Sequence, residues 1–430
     1  MGHRIQNFEA LTENDIRLDA LSIAEAGYAA IDIGAALTRT VLVGPEELQV
    51  DNVTYNLAGR KIFFVGVGKC AFVAAEAVEK LLGEKLISGI ALDVSPLVRQ
   101  VLTKIERFVG THPLPSEANV QAAQRIMEFL ADRTEDDLVI MLISGGGSTL
   151  LCLPAAPMIY LDESTLWSEL TAKGATIQDI NTVRKHISQA RGGALAKVAY
   201  PAEVISLIVS DVPGNDIEFI SSGPTVMDSS TIADAQAVLA KYEVTASPNI
   251  VFIETPKEQK YFERVTNVLF LTNHDALSAM KEEAGRHGYA ATIVDDHFTG
   301  EAREVSRTIV EKLHSALVNT VLLYAGESTV TLSGGAGAGG RNQEMALVAL
   351  EHIRDDELVV SFASDGHDNT DHAGAIADKI SRTHAQMQNL SVKEYLENHR
   401  SYDFFSTTSD ALVTGYTGSN VSDFIIALKK

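Results

Sequence analysis

The sequence predicts an α/β protein of two domains, in which helices cover a parallel sheet. Short apolar runs alternate with helical stretches, as in KIFFVG (61–66), DLVIML (137–142) and EVISLIV (203–209). Unbroken apolar strands are typical of a parallel sheet that is buried on both faces. A chain of 430 residues also exceeds what a single hydrophobic core usually organises, so a second domain is expected.

The elements follow in order from the spacing of apolar residues. A long amphipathic helix is predicted over residues 13–36. Strands and helices then alternate up to residues 246–262, where prolines and charged residues indicate a linker. The alternation resumes beyond the linker with VLFLT, ATIV, VLLYAG and VVSFA. The predicted domains are therefore 1–245 and 246–430, and the last segment has the option of packing back on the first domain.

Composition and charge restrict the expected partners. Hydrophobic residues make up 46% of the chain and charged residues 21%, as in globular proteins, and the formal net charge is −22. Such an acidic chain is not expected to bind nucleic acid or an anionic membrane, although a few clustered cations suffice for a small anionic substrate. Two cysteines, Cys70 and Cys152, favour a reducing cytoplasm over a disulfide framework. No signal peptide or membrane-spanning run is predicted.

The loops at the carboxyl ends of the predicted strands carry the chemistry, because ligands of open α/β sheets bind there. In GVGKC (66–70), two glycines allow a tight turn and Lys69 stands at the start of a helix. A lysine there opposes the helix dipole unless an anion lies opposite, so a phosphate or carboxylate contact is one interpretation. A plain turn with a solvated lysine is the alternative. The spacing is not that of a P-loop.

The loop ISGGGSTLL (143–151) has three consecutive glycines between two serines. This pattern predicts a cradle in which backbone amides and hydroxyl groups bind an anion. The residues concerned are Ser144, Gly145, Gly146, Gly147 and Ser148. Because the G-x-S-x-G pattern is missing, Ser148 is not expected to be a nucleophile, and an ordinary turn is the alternative.

Two further segments of the first domain carry charge. A helix over INTVRKHISQARGG (180–193) places four polar residues on one face, namely Asn181, Arg184, Lys185 and Ser188. That face either binds an anion or is a solvated basic surface. Asp211 follows an apolar strand and precedes a proline turn. Its carboxylate is a candidate to bind Mg²⁺, to hold a substrate hydroxyl or to act as a base, and an Asx-turn is the alternative.

The second domain contains TLSGGAGAGGRNQE (331–344), in which five glycines and two alanines fill positions 334–340. Such a run has an entropic cost, so its expected purpose is close approach of backbone N–H groups to an anion at a helix start, with Arg341 completing the site. A flexible surface connection is the alternative. The stretch GAGAGG (335–340) also satisfies G-x-G-x-x-G between a strand and a helix, which keeps an NAD(P)-dependent oxidoreductase open.

Acidic residues flank this glycine-rich loop in the sequence. Glu327 ends a strand in YAGEST, and the next apolar strand leads into SDGHDNTDHAGA (364–375) with Asp365, Asp368 and Asp371. Clustered aspartates after a strand are able to bind a cation or to position a hydroxyl group. A polar turn is the alternative, and the spacing is not that of an EF-hand.

Taken together and in their order, the motifs resemble the glycerate 2-kinase family. They are GVGK, GTHPLPSEANV, LISGGGSTLL, INTVRKHIS, VSDVPGND with SSGPT, GESTVT, GGRNQE and VTGYTGSNVSD. The resemblance covers nearly the whole chain. It implies a Rossmann-like N-terminal domain and a smaller C-terminal MOFRL domain. It also implies phosphoryl transfer from ATP, with Mg²⁺, to the 2-hydroxyl of D-glycerate in a cleft between the domains.

The resemblance implies roles for individual residues as well. Lys69 and Arg341 become the key cations of the active site, and the loop 144–148 contacts phosphate groups. Asp211 is assigned to catalysis, and both Asp211 and Asp365 are assigned to metal binding. Further residues assigned to binding are Asn181, Arg184, Lys185, Glu327, Asn342 and Asp365. Phosphoryl transfer depends mainly on positioning and charge neutralisation, which such residues supply.

Departures from the family pattern leave the acceptor open. The glycine loop lacks basic residues among its glycines, Asn369 stands where the family has glycine, and Tyr416 stands where it usually has proline. A kinase of a related sugar acid is therefore an alternative, beside the oxidoreductase and a non-catalytic sugar-acid sensor. The expected partner is a small-molecule substrate, and the chain is expected to be a cytoplasmic monomer or homodimer.

Overall fold

The computed structural model of the chain is an α/β protein, as predicted. It describes residues 2–95, 101–245, 247–332 and 337–430. The described residues form two compact units, each with its own sheet of six strands. We call Ile33–Leu271 the central unit, and Met1–Asp32 together with Thr272–Lys430 the terminal unit.

Two helices near the start of the chain belong to the terminal unit, namely α1 (Phe8–Leu11) and α2 (Asp15–Ala30). The side chain of Asn14 caps α2 by accepting a hydrogen bond from the Arg17 amide at 2.9 Å. Helix α2 ends earlier than the predicted helix 13–36. Just beyond its end, the Ser419 hydroxyl donates to the Ile31 carbonyl at 2.6 Å, which satisfies a carbonyl that has no helical partner.

The central unit is built on a parallel sheet. Its elements are α3 (Ile33–Thr40), β1 (Val41–Val43), β2 (Glu47–Val50), β3 (Val53–Asn56), β4 (Lys61–Val67), α4 (Ala71–Leu82), β5 (Leu86–Asp93), β6 (Ile105–Val109), α5 (Glu117–Ala131), β7 (Asp137–Ile143), α6 (Gly147–Leu150), α7 (Tyr160–Ala172), α8 (Ile177–Lys185), α9 (Ala194–Ala199), β8 (Glu203–Val209), α10 (Ile232–Lys241) and β9 (Val265–Leu271). The large sheet has the order β6-β5-β4-β7-β8-β9, and its neighbouring strands are parallel. Strands β1 to β3 form a small antiparallel sheet. The prediction of a parallel sheet is therefore confirmed.

The apolar runs of the sequence form the centre of this sheet. Every residue of β7 is buried, as is nearly all of β4 and β8. The register pairs Ile143 at the end of β7 with Val67 of β4 on one side and with Ile208 of β8 on the other. The loops that follow these three strands therefore leave the sheet at the same edge, which is where parallel sheets bind ligands.

The terminal unit is built on a mixed sheet. Its remaining elements are α11 (Asn273–Arg286), β10 (Ala290–Glu301), α12 (Ala302–His314), β11 (Thr320–Thr329), α13 (Arg341–His352), β12 (Glu357–Ala363), β13 (Gly374–Ala377), α14 (Lys379–Met387), α15 (Val392–Glu397), α16 (Ser401–Thr408), β14 (Ala411–Leu412) and β15 (Asp423–Lys429). The strand order is β10-β11-β15-β12-β13-β14, and only the pair β10 and β11 is parallel among these strands. The last strand, β15, completes the centre of this sheet.

The unit boundaries differ from the predicted domains 1–245 and 246–430 for two physical reasons. Strand β9 pairs with β8, so the chain stays in the central unit up to Leu271. Within the predicted linker 246–262, the Ile253 amide donates to the His186 carbonyl at 2.8 Å, which holds this segment on the central unit.

The second reason is that α2 packs in the terminal unit. A Cβ atom on Gly27 of α2 would lie 2.1 Å from the terminal methyl group of Met280 on α11, so glycine allows these helices to pack without a shift of that side chain. The fully buried Arg17 donates to Asp378 at 2.7 and 2.8 Å and to Asp410 at 2.7 Å. Two carboxylates far along the chain thus anchor the start of the chain.

Among the described residues, no single helix is both long and apolar enough to cross a bilayer. The consecutive helices α2 and α3 have the required length and composition only when they are taken together across a bend.

Candidate active site

The loops after β4 and β7 are locked together in the central unit. The Lys69 amide donates to the Gly145 carbonyl at 2.9 Å, and the Ser144 amide donates to the Val67 carbonyl at 2.9 Å. Gly68 has a φ of 119°, and a Cβ atom on it would lie 2.2 Å from the Ser144 hydroxyl. The glycine of GVGK is therefore required by both conformation and space. This contact fixes where the Lys69 side chain begins.

The glycine cradle opens toward two side chains. Gly146 has a φ of 86°, and a Cβ atom placed on it would meet Lys69 at 3.4 Å and His112 at 3.6 Å. Lys69 and His112 thus border the turn that leads into α6. The space between them and Gly146 is open because glycine has no side chain, and a larger residue would fill it. This arrangement of a left-handed glycine beside a cation fits an anionic group such as phosphate.

His112 was not among the residues predicted from the sequence, although it lies in the motif GTHPLP. The residue as a whole is exposed, but protein atoms crowd its ring. This desolvation, together with the cations of Lys69 and Arg184, lowers the pKa of His112 to about 4. The imidazole is therefore neutral at pH 7, and the two nearby cations supply positive charge at this loop, despite the acidity of the whole chain. The sequence signal for this loop is the motif GTHPLPSEANV, which is one of the motifs that resemble the family.

Asn119 holds the His112 loop in place. Its buried side chain accepts hydrogen bonds from the Thr111 amide at 2.9 Å and the Ser116 amide at 3.1 Å. It also donates to the Thr149 carbonyl at 3.1 Å, which ties the loop to the end of the glycine cradle. The sequence PSEAN of the motif thus serves to position His112.

Ser144 has a structural role that differs from the predicted phosphate contact. Its side chain is fully buried, accepts from the Cys70 amide at 3.2 Å and donates to the Val67 carbonyl at 3.4 Å. Ser148 is half-buried instead, and its hydroxyl forms a hydrogen bond of 2.8 Å with that of Ser222. Ser222 donates in turn to Asn181 at 3.3 Å. Of the two serines, Ser148 is the one that remains available to a ligand.

The predicted basic face of 180–193 is buried, so the solvated alternative is wrong. Lys185 contacts Asp228 at 2.5 Å, and both side chains are buried. Lys185 is therefore satisfied by the protein, and its predicted contact with a ligand anion is replaced by an internal ion pair. Arg184 donates to the Thr149 hydroxyl at 3.2 Å and lies 3.4 Å from Glu163. Ser188 is buried beside the Leu151 carbonyl.

Asp211 lies at the same edge of the central sheet as the glycine cradle. It is the second residue after β8, is half-buried and precedes the 3₁₀ turn Pro213–Asn215. The pairing of β7 with β8 is what brings this strand end next to that of the glycine loop. The sequence-based choice between an Asx-turn and a catalytic carboxylate stays a prediction.

Arg341 stands in an acidic setting in the terminal unit. It is the first residue of α13 and donates to Asp423 at 2.5 and 3.3 Å and to Glu327 at 2.9 Å. The antiparallel pairing of β11 and β15 places Gly326 opposite Asp423, so Glu327 and Asp423 flank the guanidinium together. Burial raises the pKa of Asp423 to about 7, although Arg341 opposes this shift. Arg341 is thus oriented by two carboxylates.

The anion at the start of α13 is a carboxylate of the protein itself. Asp368 is buried and accepts hydrogen bonds from the Asn342 amide at 3.1 Å and the Gln343 amide at 2.8 Å. A Cβ atom on Gly340 would lie 2.1 to 2.3 Å from Asp368, which explains the glycine before Arg341. The prediction that backbone amides here bind a ligand anion is therefore corrected for these two amides, since Asp368 occupies them.

Asn342 is also part of this internal network, and its predicted role in ligand binding is not supported. It is fully buried, accepts from the Ser361 hydroxyl at 2.7 Å and donates to Asp368 at 3.3 Å. Asp365 lies in the same loop as Asp368 but is half-buried, and it accepts from the His367 amide at 3.0 Å. The carboxylates of this region that solvent reaches are thus Asp365, the exposed Glu327 and the exposed Asp371.

Residues 337–339 of the glycine-rich loop pack against residues 398–402. Residues 333–336 of the loop lie outside the described residues. The Gly337 amide donates to the Asn398 carbonyl and the Tyr402 amide to the Ala338 carbonyl, each at 3.1 Å. A Cβ atom on Gly339 would lie 2.1 Å from the Ser401 hydroxyl. Beside this segment is a cavity of 360 Å³, bordered also by Arg341. The described glycines therefore serve close packing.

We expect Asp368→Ala to destabilise the protein by about 2 kcal/mol, because it leaves two buried amides at the start of α13 without an acceptor. Chemical denaturation of the variant and the wild type measures this difference. Asp371→Ala, which changes the exposed aspartate three residues on, is the matched control and should leave the stability nearly unchanged. Equal stability of Asp368→Ala and the wild type would remove Asp368 from its capping role.

Comparison with known proteins shows the family of the chain. Residues 19–252 match a family described as a domain of unknown function, DUF4147, and residues 320–423 match the MOFRL family. The glycerate 2-kinase of Pyrococcus horikoshii is 35% identical over 436 residues, which cover 96% of this chain and 97% of that protein. The chain belongs to the glycerate kinase family.

Other members of the family extend the comparison. The crystal structure of glycerate kinase from Thermotoga maritima superposes with a TM-score of 0.86 at 32% identity, and the match covers 96% of this chain and 99% of that one. A relative from Agrobacterium vitis, 36% identical over 88% of this chain and 89% of its own length, is named as a hydroxypyruvate reductase. The chain is therefore similar both to proteins named as glycerate kinases and to one named as a hydroxypyruvate reductase.

Proposed function

We propose that the protein transfers the terminal phosphoryl group of ATP to the 2-hydroxyl of D-glycerate, with Mg²⁺, and releases 2-phospho-D-glycerate. Membership of the glycerate kinase family supports the reaction class and the acceptor. The observation that carries the proposal is the Gly146 cradle, where Lys69 and His112 approach a left-handed glycine. Desolvation lowers the pKa of His112 there, and the charges of Lys69 and Arg184 lower it further. Such a site neutralises the oxygen charge of a phosphate group.

The donor groups of the chain fit a magnesium nucleotide. Lys69 and the hydroxyl of Ser148 are suited to phosphate oxygens, and the carboxylates of Asp211, Glu327 and Asp365 are hard oxygen ligands of the kind that Mg²⁺ prefers. When bound, Mg²⁺ would neutralise charge on the transferred phosphoryl group. We assign metal binding to Asp211 and Asp365, and phosphate binding to Lys69 with the loop 145–148.

Arg341 is assigned to the carboxylate of the acceptor. A planar guanidinium binds a carboxylate through two parallel hydrogen bonds, and its contacts to Asp423 fix the plane in which its N–H groups point. Glu327 is half-exposed and holds one of these N–H groups, so an incoming carboxylate exchanges with a solvated partner and not with a buried one. The general base is either Asp211 or Asp365. The alanine or asparagine variant of the base should lose the acidic limb of the pH–rate profile, where protonation of the carboxylate lowers the rate.

A hydroxypyruvate-type oxidoreductase is the second candidate, because a relative has that name. In a dinucleotide site, the amides at the start of the helix after G-x-G-x-x-G bind the pyrophosphate. Here Asp368 accepts from the amides of Asn342 and Gln343, which argues against such a site. An increase in NAD(P)H fluorescence on mixing with the protein would favour the oxidoreductase.

The deciding experiment measures ATP consumption with Mg²⁺ for D-glycerate, L-glycerate and larger sugar acids, with identification of the product by NMR. We expect turnover with D-glycerate and a phosphate on its 2-position. Turnover with a larger acid alone would keep the kinase and change the acceptor. Absence of ATP turnover with every acceptor would contradict the proposal.

Ligand binding at the cradle should change the titration of His112. An anion beside Lys69 removes part of the positive potential that depresses the pKa of His112, so this pKa is expected to rise from about 4 when phosphate or ADP binds. NMR titration of the histidine resonances with and without ligand measures this rise. The His112→Asn variant identifies the resonance, and an unchanged pKa at saturating ligand would place the anion elsewhere.

A further inference from the structure

Arg184 belongs to a buried cluster of one glutamate and two arginines in the central unit. Glu163 of α7 is 1% exposed and accepts from Arg191 at 2.7 and 3.1 Å, while Arg184 lies 3.4 Å from the same carboxylate. Arg191 also donates to the Arg184 carbonyl at 3.4 Å. The Cys152 thiol donates to Glu163 at 3.3 Å, so each oxygen of the carboxylate is in use.

The cluster has more positive than negative charge. Two guanidinium groups share one carboxylate, and no other acidic side chain pairs with them among the described residues. The Nε atom of Arg184 is the atom that lies 3.4 Å from Glu163, and it is buried without a well-formed hydrogen bond within the described part of the chain. Burial and the proximity of Arg191 lower the pKa of Arg184 to about 10, although Glu163 opposes the shift. A buried cation with incomplete pairing is costly unless a further anion compensates it.

The surplus charge faces the glycine cradle. Arg184 donates to the Thr149 hydroxyl at 3.2 Å, and that hydroxyl donates to the Pro113 carbonyl at 3.1 Å, next to His112. These contacts bring the charge of Arg184 close to the His112 loop, where it adds to the desolvation that lowers the pKa of His112. Arg191 binds the same carboxylate of Glu163 and is fully buried.

We propose that Glu163 and Arg191 are positioning residues, which hold Arg184 at the glycine cradle and keep one uncompensated positive charge there for the phosphate of a nucleotide. This inference rests on the proposed function for the identity of the anion but not for the geometry. Arg191 supplies the second charge and prevents Glu163 from neutralising Arg184 completely. Removal of Arg191 leaves a balanced pair of Glu163 and Arg184, and the cradle then loses its surplus charge.

A single tryptophan makes binding measurable without turnover. Trp167 is the one tryptophan of the sequence, lies four residues after Glu163 on α7, and borders the same small cavity as Arg184 and Glu163. Its fluorescence emission therefore reports on the cluster. Inorganic phosphate and ADP are the probes, each titrated into the full-length protein.

The test compares Arg191→Gln with the wild type and with Glu169→Gln, a control on the exposed part of the same helix. We expect a saturable change of Trp167 emission in the wild type and in Glu169→Gln. In Arg191→Gln, the Kd for ADP and the KM for ATP should rise about tenfold or more, with a smaller change in kcat, because the cluster becomes neutral. Arg191→Lys loses the paired hydrogen bonds to Glu163 but retains the charge. Because the charge is what the inference depends on, this variant should restore KM to within about threefold of the wild type.

Two results would overturn the inference. One is a folded Arg191→Gln protein that binds phosphate and ADP as tightly as the wild type. The other, which applies if Arg191→Gln does not fold, is an Arg191→Lys protein that folds normally but shows the same tenfold rise in KM. Weakened ADP binding in Arg191→Gln, with no phosphorylation of any hydroxy acid by the wild type, would refute the proposed function and leave this inference standing.

Discussion

Replacement of Arg341 with alanine is expected to lower kcat/KM about 10² to 10³-fold, the usual effect of removing one charged donor from a transition-state site. The variant keeps α13, because Asp368 and not Arg341 accepts from the amides at the helix start. Steady-state kinetics with ATP and D-glycerate measures the loss, and circular dichroism measures the fold. Arg307→Ala, which removes an exposed arginine of α12, is the matched control.

The stability of Arg341→Ala should depend on pH in a defined direction. Asp423 loses its cation in this variant, so its pKa rises above the value of about 7 that it has beside Arg341. The folded state then binds a proton that the unfolded state has released above its ordinary pKa, and stability therefore falls as the pH rises from about 4 to 7 and beyond. Adding Asp423→Asn should remove this dependence.

Full activity of Arg341→Ala would exclude Arg341 from the mechanism.

Replacement of Lys69 with alanine is expected to reduce turnover about 10² to 10³-fold with little loss of stability. The Lys69 contact to Gly145 is made by its backbone amide, which alanine retains, so the junction of the two loops stays intact. The half-buried side chain is the part that borders Gly146. Kinetics and thermal unfolding of the same preparation separate the two effects.

Matched variants sharpen this test. Lys80→Ala removes an exposed lysine of α4 and should leave both rate and melting temperature unchanged. Gly146→Ala should lose activity as well, because a side chain enters the space beside Lys69 and the φ of 86° is unfavourable by about 1 to 2 kcal/mol. A lower melting temperature of Lys69→Ala with unchanged specific activity would mean that Lys69 is structural.

Local pattern was sufficient for the strands and for the loops at their ends. Buried parallel strands have to be apolar along their whole length, so KIFFVG, DLVIML and EVISLIV were recognisable without a structure. The glycines at 68 and 146 have left-handed φ values, which is a requirement of a single residue and its neighbours. Lys69 and Ser148 were accordingly found from the sequence in positions open to a ligand, whereas their binding roles stay predictions.

Side chains whose partners are distant in the sequence were not interpretable in the same way. Lys185 was expected to bind a ligand, but Asp228 neutralises it from 43 positions further along the chain. Ser144 and Asn342 were expected at a ligand and are instead buried in hydrogen bonds of the protein. A residue type and its spacing on one helix do not reveal which opposite charge the fold brings to it.

The sequence by itself determined the fold class and the parallel direction of the strands in the first sheet, because both follow from periodicity. It also determined the edge at which the polar loops gather, because parallel strands all end at the same edge. Only the tertiary structure decided that the first helices complete the terminal unit, that Asp368 occupies the start of α13, and that Glu163 and Arg191 stand behind Arg184. Several of these pairings join residues far apart in the sequence, such as Gln343 with Asp368, 25 positions apart, and Arg17 with Asp378, 361 positions apart. Pairings at such separations depend on how the elements pack, which local sequence does not specify.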